Sequence, residues 1–300
     1  MAFGGKVNQG PHRLSVLLAR YRVDIPIFRG RAVPLTFVND IDALADVRVS
    51  EGTIAILPVA ATEAHGPHLP ASTDCDIAQG HLSALSGYLS SAIDAVVLPI
   101  ERIGASREHL WAAGTQSKNE GDLIAEWFGI AQSWAKAGGR RLVIVSSHGG
   151  NTPVVESVIL KARAELGLLA ISTAWLRFGM PEGLFDEHER RYGIHGGAIE
   201  TALMLHYFPD KVEMGRADDF ASALEPIEAG MTHLSAYGRH RFGWLSSDLN
   251  AHGVVGDAKS ASADKGAALA DHILAGFAQL LDDVARFDLS WLKDSQREPQ

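Results

Sequence analysis

A single cysteine, Cys75, is all that the 300 residues contain, so no intrachain disulfide can form and a disulfide-built scaffold is excluded. Basic residues are also in deficit. The 27 Lys and Arg against 36 Asp and Glu leave a formal net charge of -9, which argues against a general nucleic-acid binder, whose phosphate contacts need a basic surface. No apolar run approaches the ~20 residues that cross a bilayer; stretches such as 95–100 and 142–145 are far shorter. Repeats, low-complexity tracts and an obvious linker are likewise missing. What is present is a core-forming composition, 46% hydrophobic and 21% charged, that fits one large domain or two tightly packed ones. The expectation is a soluble cytoplasmic protein that acts on a small molecule, without nucleic-acid or membrane partners.

Acids are nearly absent from the first 32 residues, where Lys6, Arg13, Arg20, Arg22, Arg29 and Arg31 stand against Asp24 alone. The apolar stretch at 14–18 is too short for a secretory signal. Two readings stay open: an extension that packs on the body or on a neighbouring subunit, and an organelle transit peptide. The expected organisation is a basic extension over 1–35, a catalytic body over 36–290 and a tail over 291–300.

Hydrophobic periodicity then alternates. Residues 53–59 read as a buried strand, 76–93 as a helix, 95–100 as a strand, 119–137 as a helix, 141–146 as a strand, 151–166 as a helix and 168–173 as a strand. This order predicts an α/β fold with a mainly parallel sheet between helices. A polar loop is expected over 177–197, a helix over 198–207, irregular chain over 210–256 and a final amphipathic helix over 261–287.

Three clusters carry chemistry. Glu63 and His65 follow the first strand, with His68 and Asp74 close behind; this mixture of carboxylate and imidazole suits Zn²⁺, Mn²⁺ or Fe²⁺ better than Ca²⁺. A polar cap, with Asp74 as helix N-cap, is the alternative. His148, in Ser147-His148-Gly149-Gly150-Asn151, sits at the carboxyl end of a strand, where open α/β sheets bind ligands, and Asn151 is placed to cap the next helix. His195 precedes a glycine turn and a helix whose first turn carries Glu200, a position that the helix dipole alone would favour.

Together these motifs resemble the creatininase (creatinine amidohydrolase) superfamily. The likeness lies in TEAHGPHLP at 62–70 with Asp74, SHGGN at 147–151 and HGGAIET at 195–201, with weaker agreement at 104–115 and 253–266. It implies a three-layer α/β/α sandwich, commonly a homohexamer, with two divalent metals per subunit, zinc first and manganese or iron as alternatives. By the same resemblance Glu63 and His148 would hold one metal, His65 the other and Asp74 would bridge them, while His195 would be the catalytic acid and base. Creatininase proper has a glutamate where this chain has Gly150. Glu200, the only acid of the third motif, is our candidate to supply the missing carboxylate.

A two-metal site of this kind suits hydrolysis of an unreactive amide. The leading expectation is cleavage of a small cyclic amide or formamide C–N bond. The alternatives are another bond at the same site, such as a ring C–C bond of a cyclic ketone or a peptide bond, or a ligand-binding oligomer without catalysis. Glu108 and His109 either contact substrate or shape their loop, and His68 is expected to orient a ligand by hydrogen bonding. Trp175 and Phe178 floor the pocket or pack in the core; His188 is expected in a solvated loop, and Cys75 is expected to pack.

Overall fold

The computed structural model describes residues 35–293. Residues 1–34 and 294–300, and with them nearly all of the expected extension and most of the expected tail, lie outside the described residues.

The described residues open with a two-residue strand, β1 (Thr36–Phe37), followed by β2 (Ile54–Val59), α1 (Thr73–Leu85) and β3 (Ala95–Val97). Next come α2 (Glu120–Lys136), β4 (Arg141–Ser146), α3 (Thr152–Leu166) and β5 (Leu169–Ala174). Beyond the sheet lie α4 (Glu187–Tyr192), α5 (Ala198–Tyr207), β6 (Asp219–Phe220), α6 (Leu224–Glu228), α7 (Ser246–Leu249), β7 (Gly256–Asp257) and the long α8 (Ala263–Arg286). The five strands β1 to β5 form one parallel sheet in the order β1-β3-β2-β4-β5, and β6 pairs antiparallel with β7.

The period of two along β2 divides the core. Ile54 and Ile56 join Val143 and Val145 of β4 in one apolar cluster with side chains of α1, α5 and α8, such as Leu82, Leu203 and Phe277. Ala55, Leu57 and Val59 join Leu142 and Ile144 in a second cluster against α2 and α3, including Trp127, Trp134 and Val158. Both faces of β2 and β4 are therefore buried, which is why those strands read as continuous apolar runs. The result is the expected three-layer α/β/α sandwich.

Strand order fixes where a ligand can bind. From β2 the chain crosses through α1 to β3 on one side, then returns through α2 to β4 on the other. The crossovers on opposite faces diverge between the carboxyl ends of β2 and β4, and such a switch point leaves a crevice there.

Several boundaries differ from the sequence expectation. Helix α1 stops at Leu85, not at 93: the chain turns at Gly87 and Tyr88, although Leu89 and Ile93 remain buried. Within the expected loop 177–197 lies α4, begun by the Asp186 carboxylate accepting the Glu189 N–H at 2.7 Å. The strands β1, β6 and β7 are two residues each, too short to carry a period. None of the helices among the described residues is long and apolar enough to cross a membrane.

Candidate functional site

The loop leaving β2 carries Glu63 and His65, both essentially without solvent exposure, and the backbone pair Glu63 N–H to Ala71 C=O (3.0 Å) folds it back over the crevice. Asp74 lies in the first turn of α1 and points into the same space; it is not the N-cap, a position held by Ser72. His148 follows β4, while His195 and Glu200 flank the start of α5. The structure brings all six together. His148 Nδ1 is 3.1 Å from Glu63 Oε1 and 3.8 Å from Asp74 Oδ2. His65 Nε2 is 3.5 Å from Asp74 Oδ1 and 3.7 Å from Glu200 Oε2. His195 Nδ1 is 3.7 Å from Glu63 Oε1.

Backbone carbonyls fix the histidine tautomers. A carbonyl only accepts, so each ring nitrogen facing one must carry the proton. His65 Nδ1–H donates to the Glu63 carbonyl at 3.0 Å, which leaves Nε2 for the cluster. His148 Nε2–H donates to the Ala105 carbonyl at 2.9 Å, and His195 Nε2–H to the Ala64 carbonyl at 2.9 Å, which leaves both Nδ1 atoms turned inward. This is the arrangement by which outer hydrogen bonds aim imidazoles at a metal.

The supports are equally specific. Gly66 and Gly196, both at positive φ, bracket Val254; a Cβ on either would lie 2.6 or 2.4 Å from its methyl groups. The two histidine-bearing turns thus close on one side chain. Asn151 is at the N-cap position of α3 but makes no cap bond, contrary to the sequence expectation. Its fully buried amide instead accepts from Ala105 N–H (2.9 Å) and donates to the Ala60 carbonyl (3.0 Å), tying together the loops beside the site. Glu189, which the sequence reading passed over, is buried and accepts from Ala198 N–H (2.6 Å) and Asp257 N–H (2.8 Å), anchoring the start of α5.

Charge concentrates here. Burial pushes His65 down, but Asp74, then Glu200 and Glu63, outweigh it and lift the ring to about 10. Burial likewise opposes, and Glu63, Asp74 and Glu108 overcome, in raising His148 to about 10. Burial and the Glu63 charge push Asp74 up to about 6, whereas in Glu63 the pull of His148, His195 and His109 prevails over burial and holds it well below the usual range. The carboxylates therefore draw positive charge into a buried space, and either protonated imidazoles or divalent cations supply it.

Cations fit on a further observation. Glu63 Oε1 and Oε2, His65 Nε2 and Asp74 Oδ2 are buried and have no hydrogen-bond partner. Leaving such atoms unsatisfied costs about 1–3 kcal/mol each, so their convergence on one point calls for a ligand. Three triads bring ligand atoms within 4.8 Å of one another: Glu63, His65 and Asp74; His65, His195 and Glu200; and Glu63, His109 and His195.

His109 was thus underestimated. It is buried, its Nε2 is 3.6 Å from Glu63 Oε1, and its ring lies 4.2 Å from that of His195. Its neighbour in sequence, the only partly buried Glu108, lines the cavity with it; burial raises that carboxyl above the usual range. The cavity is small, about 40 Å³, and Tyr237 and Trp244, from the chain beyond α6, also line it.

Other expectations are corrected or placed. His68 Nε2 pairs with the Thr201 hydroxyl (2.9 Å) rather than with a member of the cluster, bracing the helix that bears Glu200. Trp175 is buried against His81 and Phe277, and Phe178 packs on Phe277, so both serve the core and neither floors the pocket. Cys75 is buried and donates to the Ala61 carbonyl, and burial raises its thiol to about 11, as expected of a packing residue. His188 is exposed, on α4 instead of a loop, beside Glu225.

Comparison with known proteins places this arrangement. The family model Creatininase, described as creatinine amidohydrolase, matches residues 42–281. The mycofactocin precursor peptide peptidase of Mycobacterium tuberculosis is 30% identical over 252 residues, covering 79% of this chain and 85% of the relative. That of Mycolicibacterium smegmatis is 31% identical over 164 residues, covering 53% of this chain and only 60% of the relative's length. A crystal structure from Bacteroides fragilis NCTC 9343, of a protein provisionally described as a creatinine amidohydrolase, superposes with a TM-score of 0.66 at 25% identity and covers 84% of this chain and 97% of that one. The chain therefore belongs to the creatininase family and is a hydrolase of that family.

Proposed function

We propose that the protein hydrolyses the C–N bond of a small cyclic amide or formamide at a site for two divalent metal ions. The carrying observation is the way Asp74 faces two sets of ligand atoms. Its Oδ2 turns to His148, which also faces Glu63, and its Oδ1 to His65, which in turn neighbours Glu200. In this reading Glu63, Asp74 and His148 hold one ion, and His65, Asp74 and Glu200 hold the other. Mixed nitrogen and oxygen donors suit zinc first, with manganese or iron as alternatives. When bound, such ions acidify water and polarise the scissile carbonyl.

His195 moves the protons. With Nε2–H fixed on the Ala64 carbonyl, its unprotonated Nδ1 faces the cavity beside Glu63, and burial together with His65 lowers its pKa, favouring the neutral ring. It can take a proton from the attacking water and return it to the departing nitrogen, which leaves poorly as an anion. Glu200 is held in place by accepting the Gly196 N–H at 2.6 Å. Gly150, in place of a glutamate, supports a substrate other than creatinine.

A peptide bond is the second reading, favoured by the relatives named as peptidases. Metal-replete protein assayed against lactams, cyclic ureides, formamides and short peptides separates the two. Turnover of a lactam, ureide or formamide supports the first, turnover of peptides alone the second, and none with any of them refutes both.

A further inference from the structure

Glu108 is the fourth carboxylate of the cavity and the one that the proposed metal sets leave unused. Its Oε1 lies 3.4 Å from His148 Nε2, the ring nitrogen opposite in role to the Nδ1 that faces Glu63. That Nε2–H is already given to the Ala105 carbonyl. Among the described residues no lysine or arginine pairs with Glu108; the ion-pair contact recorded for it is His148. Its carboxylate is half-buried and lines the cavity, where it is open to a further donor.

Its placement is held from several sides. The Glu108 backbone carbonyl accepts from Ser246 Oγ (3.2 Å), which also accepts from Trp111 Nε1 (2.8 Å). The space it enters is the one above Gly150. A Cβ there would stand 2.3 Å from the Ala105 carbonyl oxygen, 2.4 Å from His148 Nε2 and 2.9 Å from Glu108 Oε1. The glycine is thus a requirement of the loop that presents Glu108, and the site exchanges a side chain at 150 for a carboxylate from residue 108.

Resting on the two-metal reading above, we propose that Glu108 is a specificity-determining residue that selects substrates presenting a donor-only nitrogen group beside the scissile amide. An ionised carboxylate accepts and cannot donate, so the N–H groups of an amidinium or ammonium satisfy it with charge assistance, a neutral amide N–H does so more weakly, and a carbonyl or ether oxygen at the same place repels it. A charge-assisted hydrogen bond of this type discriminates between near-isosteric ligands by about tenfold or more.

Acetamidinium and acetamide, nearly equal in size, serve as probes. Their binding to metal-loaded wild type and to Glu108→Gln is measured by calorimetric titration, with metal content determined on the same samples. The expected result is a preference for acetamidinium of about tenfold or more in the wild type, lost in Glu108→Gln while metal content stays unchanged. Equal binding of the two probes, no binding of acetamidinium, or a preference that survives Glu108→Gln overturns the role. Loss of metal in Glu108→Gln overturns it as well, by making Glu108 part of the metal-holding set. A wild type that retains no metal breaks the underlying two-metal reading instead, so the two failures are distinct.

Discussion

Replacing Gly150 with alanine inserts one methyl group where the structure has no room. The nearest atom, the Ala105 carbonyl oxygen, would be 2.3 Å away against an ordinary contact of 3.4–4 Å, and His148 Nε2 would be 2.4 Å away. Relief requires the 105–108 loop or the His148 turn to move by roughly an ångström, at an overpacking cost of about 1–3 kcal/mol. Such a shift also breaks the His148 to Ala105 hydrogen bond, adding about 0.5–1.5 kcal/mol, for a total of about 1.5–4.5 kcal/mol. For a chain of 300 residues that corresponds to a Tm lower by about 2–7 °C. Because His148 loses its orienting bond, metal affinity should fall by about 10–100-fold. Thermal unfolding and metal titration of Gly150→Ala check both. A Tm within about 2 °C of wild type together with unchanged metal affinity would falsify the close-packed description of this corner.

His195→Ala should keep full metal content and lose activity by about 10²–10⁴-fold; near-normal turnover would remove it from proton transfer. Glu189→Ala strands the Ala198 and Asp257 N–H groups and should cost about 2–5 kcal/mol in urea unfolding, a loss that a purely exposed carboxylate would not cause. His81, fully buried and bonded to the Tyr207 hydroxyl at 2.8 Å, is pushed down to about 3 by burial. Its folded pKa lies below the unfolded value, so the unfolded chain binds the extra proton and stability falls as pH drops from about 6.5 towards 3. Between pH 7 and pH 5 this amounts to about 2 kcal/mol, and His81→Gln should lose that much less stability than wild type over the same interval; parallel curves would contradict the assignment.

The sandwich was legible because β2 and β4 are buried on both faces and two of the main helices announce their starts, Asn119 capping α2 and Ser262 capping α8. The end of α1 was not, since Leu89 and Ile93 keep a helical spacing for burial while the backbone around Gly87 turns. In the site, Glu63, His65, Asp74, His148, His195 and Glu200 stood out through motif spacing. His109 lay in a loop without a period, and only the tertiary approach to Glu63 places it in the cluster. Asn151, expected only as a cap, and Glu189, which was passed over, take roles that the chain does not announce because their partners are backbone groups distant in sequence, which no local pattern encodes. Gly150 read as an absence in the chain; in three dimensions it is the gap that Glu108 and Ala105 occupy.

Metal stoichiometry, measured by elemental analysis on wild type, Asp74→Ala and Glu200→Gln side by side, tests the proposed two-ion site most directly. The arrangement predicts two divalent ions per chain in the wild type, loss of both when the shared Asp74 is removed, and loss of one in Glu200→Gln. A wild type with a single ion, or Glu200→Gln that retains both, would contradict it.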